Sequence, residues 1–335
     1  MSLPEFEYLS PGDMETACAA LRDFKDRIAV LGGGTDLVMH LKRRLKMPHY
    51  VLSLKGLPSL RSLQYEPGSG FTLGAMCSLN QIAADLHVRS RCPALARAAE
   101  QVASPQIRSM ATIGGNVCLD TRCWYYNQSK VWRASFQPCH KAGGDLCHLI
   151  EKSKKCYALF QADTVPALFV LDAKLKLVSH AGERTVAVGE FYSGRGETPN
   201  LISPDELLAE VHIPDPAPRS GSAYAKYRAR DSIEFPVLGV AAMVALGGDG
   251  ICRKARFAFI GHGCGPLAVD ASGLVAGLKE PVLTEDSLDR ILQDVKPVYH
   301  MGVSASFKKR IARLSAKKAF QEAWMKAQGS GSKPL

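Results

Sequence analysis

The stretch RIAVLGGGTDL, residues 27–37, carries the first decision about this chain. Arg27 to Leu31 is a short apolar run of strand character, Gly32, Gly33 and Gly34 interrupt it, and Thr35-Asp36-Leu37 lead into the helix-like VMHLKRRL at 38–45. A strand, a glycine turn and a helix let a chain wrap a pyrophosphate. Glycine accepts positive φ and close approach, so successive N–H groups point into one anion-binding concavity. The helix that follows adds the partial positive charge of its N-terminus. The spacing is not the G-x-G-x-x-G of the dinucleotide fold, and one glycine run alone is more often an ordinary turn.

Outward from this point, residues 13–24 have helical spacing after Ser10-Pro11-Gly12, and 49–54 reads as a strand ended by Lys55-Gly56-Leu57-Pro58. Strands are expected over 60–65 and 70–73 around the Glu66–Ser69 turn, and helices over 78–86 and 93–102. A second glycine turn follows in QIRSMATIGGN, 106–116. From 117 to 160 the pattern is broken by cysteines, Trp124, Trp132 and basic residues; strands are then expected at 167–171 and 174–178. Residues 213–222 form the clearest linker. Beyond it come a strand over 254–260, helices after Thr284 and Ser304, and a flexible tail at 328–335. No internal repeat is visible.

The chain has 335 residues, with 46% apolar and 22% charged, as expected of a globular protein of two or three units with a real core. Its net charge of +10 comes from basic residues spread along the chain, and aromatics make up only 7%, which argues against nucleic acid and leaves a solvated surface or a face for an acidic protein partner. No apolar run approaches the roughly 20 residues of a membrane span. The start, MSLPEFEYLSPGD, has no basic and apolar leader, so a cytoplasmic location is expected. In a reducing compartment the ten cysteines are not read as disulfides.

With its order kept, the set LGGGTDL at 31–37, QIRSMATIGGN at 106–116 and DTVPAL at 163–168 resembles the FAD-binding medium subunits of the xanthine oxidase and carbon monoxide dehydrogenase family. Tyr224-x-Lys226 with Arg230-Asp231, and FKKRIARLSAKKAF at 307–320, extend the likeness over about residues 4–325. The resemblance implies an α+β chain: a two-subdomain FAD-binding domain of the molybdenum-hydroxylase flavoprotein type, then a small C-terminal α/β domain. The expected units are 1–55, 56–215 and 217–327. It implies that Gly32, Gly33, Gly34, Thr35, Asp36 and Leu37 hold the pyrophosphate side. Thr112, Ile113, Gly114, Gly115 and Asn116 would face them, and Asp163, Leu168 and Lys226 would lie toward the flavin or its ribityl chain. Beyond the flavin no catalytic residue is expected on this chain.

Five cysteines cluster between the second glycine turn and Asp163: Cys118, then Cys123-x15-Cys139-x7-Cys147-x8-Cys156. Structural zinc sites favour close C-x2–4-C pairs, which are absent here, whereas a [4Fe–4S] cluster takes four thiolates from a loop folded around a larger object. On spacing alone, both readings stay open. An insertion at this place, about 117–160, resembles that of the 4-hydroxybenzoyl-CoA reductase branch. The resemblance implies a [4Fe–4S] cluster on Cys123, Cys139, Cys147 and Cys156, with Cys118 outside the set. It further implies electron transfer from a ferredoxin-like donor through FAD to a [2Fe–2S] small subunit and a molybdenum-cofactor large subunit, in an aryl-CoA reductase. Two alternatives stand beside it: the flavin subunit of another molybdenum hydroxylase, and a zinc-stabilised, non-enzymatic binding protein.

Overall fold

The computed structural model describes residues 2–300 and 302–329. Its strands in chain order are β1 (Glu7–Leu9), β2 (Ile28–Leu31), β3 (Tyr50–Ser53), β4 (Leu63–Glu66), β5 (Gly70–Gly74), β6 (Lys174–Ser179), β7 (Gly182–Ala187), β8 (Leu207–Ile213), β9 (Ser220–Tyr227), β10 (Leu238–Leu246), β11 (Cys252–Ile260) and β12 (Leu267–Asp270). They form three sheets, ordered β1-β3-β2, β4-β5-β8-β6-β7 and β12-β11-β10-β9. The first is parallel, because the helix Leu37–Lys42 carries the chain back from β2 to β3. The other two are antiparallel.

Strand β8 holds the first two units together. Leu207 and Ala209 pack with Ala17, Leu21, Leu52 and Leu60. Leu208, Val211 and Ile213 join the larger core with Leu79, Ile82, Leu95, Ile113 and Leu168. A register shift in the pairing with β6, at Lys176–Leu177 opposite Glu210 and Leu208, breaks the alternation, so Leu207 and Ala209 reach one core while Val211 and Ile213 reach the other. The C-terminal sheet does the same. Phe257 and Phe259 pack with Phe320 and Trp324 of the long helix Ala305–Gly329, while Tyr224, Ala241 and Ala258 belong to the larger core. A Cβ built at Gly221 of β9 would fall 2.2 Å from the carbonyl oxygen of Ala323, so glycine permits that close helix–strand approach.

Helix starts follow local chemistry. Asp13 caps the helix Met14–Phe24, accepting from the Thr16 amide at 2.7 Å, and Ser78 forms a capping box with Gln81 ahead of Leu79–Ala84. Two expectations fail. Residues 167–171 are not a strand: 167–170 lie in the helix Thr164–Val170, where all but Phe169 are buried, and Leu171 caps its end. A short apolar run buried on all sides has no period that separates strand from helix, and Pro166 sits in the first turn, where its missing N–H costs nothing. The second glycine segment is also not a turn but the short helix Ile113–Val117, capped by Thr112. Of the expected tail, Gln328 and Gly329 end the last helix and 330–335 lie outside the described residues. Among the described residues no helix is long and apolar enough to cross a membrane.

Two buried histidines have a consequence for stability. His262 and His300 are 9% and 7% exposed, and their Nε2 atoms find no partner among the described residues. Burial, with the nearby Lys308 ammonium adding to it, lowers both imidazoles to about 4. Native pKa values below the unfolded ones mean that the unfolded chain binds the extra protons. The contribution of these histidines is therefore intact above about pH 6.5 and is lost as pH falls toward 4, up to about 3 kcal/mol for each. Urea unfolding at several pH values should show this acid loss, and His262→Gln should flatten it; an unchanged pH slope in the variant would remove His262 as a cause.

Candidate functional site

Where the first two units meet, a cleft of about 1050 Å³ opens between the ends of β2 and the segments 102–120 and 200–208. The glycine run forms one wall. Gly34 takes φ +79°, and among the described residues the backbone N–H groups of Gly32, Gly33, Gly34 and Thr35 meet no protein acceptor. They remain available to an anion.

The opposite wall is built differently. The amides of Ile113 and Gly114 donate to the carbonyls of Cys77 and Ala75, both at 2.9 Å, and that of Gly115 donates to Thr112 Oγ1 at 3.1 Å. Those of Gly115 and Asn116 are likewise committed inside the helix cap, Asn116 donating to Thr112 O at 3.0 Å. The two glycine segments expected to face each other across the cofactor therefore differ in what they offer. Only the first offers free amides; the second uses its glycines for proximity. A Cβ at Gly114 would stand 2.8 Å from the Ala75 carbonyl oxygen, and one at Gly33 would stand 1.7 Å from that of Met110. The two glycine segments are thus packed backbone to backbone, and the narrow floor of the cleft follows from that contact.

Asn116 ties this wall to the next element: its Oδ1 accepts from the Thr164 amide at 3.1 Å and from Thr164 Oγ1 at 2.7 Å. Asp163 faces the cleft but is only 3% exposed. It accepts from Tyr224 Oη at 2.7 Å and from Lys226 Nζ at 3.0 Å. Burial pushes the Asp163 carboxyl up and the Lys226 amine down, against the pull of their mutual pairing. Lys226 spends its remaining protons on the carbonyls of Gln101 and Glu234, both at 2.9 Å. Lys226 is thus turned away from the cleft lining. It fastens the segments Val102-Ala103 and Ile233–Phe235, which do line it. Leu168 and Ile113 are likewise fully buried in the core and do not line the cleft. Helical packing carried them inward, where a sequence motif shows only their spacing.

Several lining residues were not visible as such in the sequence. Arg122 pairs with Asp36 and lies 4.6 Å from the Phe235 ring centroid, so it spans the mouth of the cleft. His40, 3% exposed, sits 3.7 Å from Asp36, and burial lowers its pKa with Asp36 opposing. Arg43 and Lys46 add positive charge on the same side. Isolated arginines and histidines carry no motif; only an Asp one turn before His40 hinted at an i,i+4 pair.

Beside this cleft lies a second, smaller cavity. Cys123, Cys139, Cys147 and Cys156 all line it, with Tyr125, Tyr126, His140, Lys141 and His148. Cys118 lines the large cleft instead. Among the described residues no three His, Cys, Asp or Glu side chains are grouped to hold a metal ion. Four thiols thus face one space without converging on a single point.

Residues 4–216 match the family model described as the FAD binding domain in molybdopterin dehydrogenase, and 222–323 match the CO dehydrogenase flavoprotein C-terminal domain. The nicotinate dehydrogenase FAD-subunit of Eubacterium barkeri is 31% identical over 255 residues, covering 76% of this chain and 73% of that protein. The carbon monoxide dehydrogenase medium chain of Hydrogenophaga pseudoflava is 26% identical over 326 residues, covering 96% and 98%. The crystal structure of Cu,Mo-CO dehydrogenase superposes with a TM-score of 0.77 at 22% identity, over 97% of this chain and all of that one, a likeness of fold. The chain belongs to the FAD-binding medium subunits of the xanthine oxidase and carbon monoxide dehydrogenase family, and it is an oxidoreductase subunit. That membership sets aside a non-enzymatic zinc protein.

Two substitutions test this geometry. Gly33→Ala forces a methyl group into the Met110 carbonyl, and FAD affinity should fall about tenfold or more, roughly 1.4 kcal/mol; flavin retained at full stoichiometry through dialysis would contradict the close-contact account. Lys226→Met leaves Asp163 buried beside one partner fewer, at a cost of about 3–5 kcal/mol. Thermal unfolding should show that loss even in flavin-free protein, whereas a defect confined to flavin binding would return Lys226 to the cofactor.

Proposed function

We propose that this FAD-binding subunit serves a molybdenum-containing aryl-CoA reductase of the 4-hydroxybenzoyl-CoA reductase kind, relaying electrons from a ferredoxin-like donor toward a [2Fe–2S] subunit. The observation that carries the reading is the set of four cysteines facing one cavity beside the FAD cleft. Their donor chemistry fits a [4Fe–4S] cluster, which takes four thiolates. The wide spacing of the four cysteines, with no close C-x2–4-C pair, favours a larger multinuclear object over a single zinc ion. FAD, when bound, supplies exchange of one or two electrons.

The chain's own residues then have separate tasks. Gly32, Gly33, Gly34 and Thr35 present amides to the pyrophosphate, with Asp36 and Leu37 opening the helix behind them. Thr112, Gly114, Gly115 and Asn116 close the facing wall. Asp163, Tyr224 and Lys226 hold that wall and its neighbours in register, and Arg122 with Phe235 limits the access of water at the mouth. Cys123, Cys139, Cys147 and Cys156 hold the cluster. The exposed Lys152, Lys154 and Lys155 beside Cys156 suit an acidic donor. On this reading the [2Fe–2S] and molybdenum sites reside on partner subunits. A second reading is favoured by the names of relatives that act on nicotinate and carbon monoxide: the same electron relay serving an oxidising molybdenum hydroxylase.

Metal analysis decides the cluster: about four irons per chain, with acid-labile sulfide, are expected. Cys139→Ser should lose the iron and the broad dithionite-bleachable absorbance but keep its flavin. Stoichiometric zinc in the wild type would overturn the assignment. With the partner subunits present, reductive dehydroxylation of 4-hydroxybenzoyl-CoA separates the two readings; turnover only in the oxidative direction, on another substrate, would favour the second.

A further inference from the structure

We infer that Lys141 is the charged link between the two sites, its ammonium serving the four-cysteine cavity while its partner Asp120 presents the balancing carboxylate to the FAD cleft. The inference rests on the reading that the four cysteines hold an iron–sulfur cluster. Lys141 lines the smaller cavity and Asp120 lines the larger one. Their ion pair, Nζ to Oδ1 at 2.6 Å, therefore bridges the wall between them. The lysine side chain is only 4% exposed.

Burying an ammonium is expensive unless every proton is satisfied and a countercharge is close. Both conditions hold here. Nζ donates to Asp120 Oδ1, to Thr121 Oγ1 at 2.8 Å and to the Gly196 carbonyl at 2.8 Å, which uses all three protons. It also stands 5.4 Å from the ring centroid of Tyr126, another residue of the cysteine cavity. An apolar side chain of the same length would fill this space without the cost of desolvation. A lysine kept there is best explained by what its charge does to its surroundings.

What it faces is an anionic donor set. Thiolates and the cluster they hold carry net negative charge, and net charge and nearby hydrogen bonds set such potentials. A fixed cation in a poorly screened site favours the more negative, reduced state, so Lys141 raises the potential of the cluster. The same knot places a ligand. A Cβ at Gly196 would lie 2.7 Å from Cys156 Sγ, so the segment whose carbonyl Lys141 grips also abuts one of the four thiols. On the other side, pairing neutralises Asp120. Without Lys141 that carboxylate would be an unbalanced negative charge facing the flavin, and reduction of the flavin would become harder too. Lys141 is a positioning and tuning residue; it touches no reacting atom.

The test is a redox titration of the intact complex, followed by EPR and by flavin absorbance, with iron and flavin content measured for each variant. Lys141→Met should keep both cofactors and lower both midpoint potentials. Lys141→Arg, which keeps the charge, should match the wild type. In Lys141→Met with Asp120→Asn, the flavin midpoint should return to the wild-type value while the cluster midpoint stays low. Wild-type midpoints in Lys141→Met, or equal shifts in the Met and Arg variants, would overturn the inference. Iron lost from the Met variant but held by the Arg variant supports a requirement for the cation; iron lost from both assigns Lys141 to packing and overturns it. Wild-type protein without iron would sink the cluster reading separately. The flavin midpoints of Lys141→Met and the double variant would then decide, and an unchanged flavin midpoint in Lys141→Met would overturn the link.

Discussion

The cleft depends on one contact: the backbone of Gly33 lying against the carbonyl of Met110. A Cβ at that position would fall 1.7 Å from the oxygen, so no side chain fits without separating the two segments. Around this contact the first unit brings free amides on a positive-φ glycine turn, and the second brings a short capped helix whose amides are already bonded. The two walls therefore do different work. One recognises an anion; the other supplies shape. Gly114 against Ala75 repeats the close approach one layer deeper, which joins the wall to the strand end at β5.

Rigidity behind the cleft comes from a buried polar cluster in place of further apolar packing. Asp163, Tyr224 and Lys226 connect the helix Thr164–Val170, strand β9 and two carbonyls on separate segments. A buried ion pair contributes little to net stability against an apolar replacement, but breaking it by removing one partner costs a great deal. Such a cluster therefore specifies position. Here it specifies where Val102-Ala103 and Ile233–Phe235 stand at the cleft, and it joins the C-terminal sheet to the flavin-binding units. Lys226 is bound to this chain's own backbone, which explains why a lysine in a family motif can matter without reaching the cofactor.

The cysteine loop is anchored onto the first unit. Arg133 donates to the carbonyls of Arg43 and Arg44, and Arg43 donates to that of Asn127 at 2.9 Å. On the other flank Phe160 pairs with the Gly261–Gly263 segment, its amide donating to Gly263 and its carbonyl accepting from Gly261, both at 2.9 Å. A loop held on one side by arginine side chains and on the other by backbone hydrogen bonds keeps its thiols near a common space. Trp124, Tyr125, Trp132 and Phe136 add a cover of rings in edge-to-face and tilted contact. Adjacent residues then reach different sites: Arg122 faces the flavin cleft and Cys123 the cysteine cavity, one peptide bond apart.

By itself the sequence determined what is local. Glycine at 32–34, the apolar run before it, the helix after it, the capping residues at Asp13 and Ser78, and the turn at 66–69 all act through neighbouring backbone, so they can be read in order. Motif order was enough for the family and for FAD. Only tertiary structure decided what depends on residues far apart. That segment 164–170 is a helix was decided by the fold, because burial of nearly all its residues left no period in the sequence to mark it. Which glycine segment kept free amides depended on acceptors at Cys77 and Ala75, and the turn of Lys226 away from the cleft depended on Gln101 and Asp163, both distant in sequence. The four cysteines, Lys141 and Asp120 met at one wall for the same reason. Side-chain direction is set by the packing of whole elements, and no short stretch of sequence contains it.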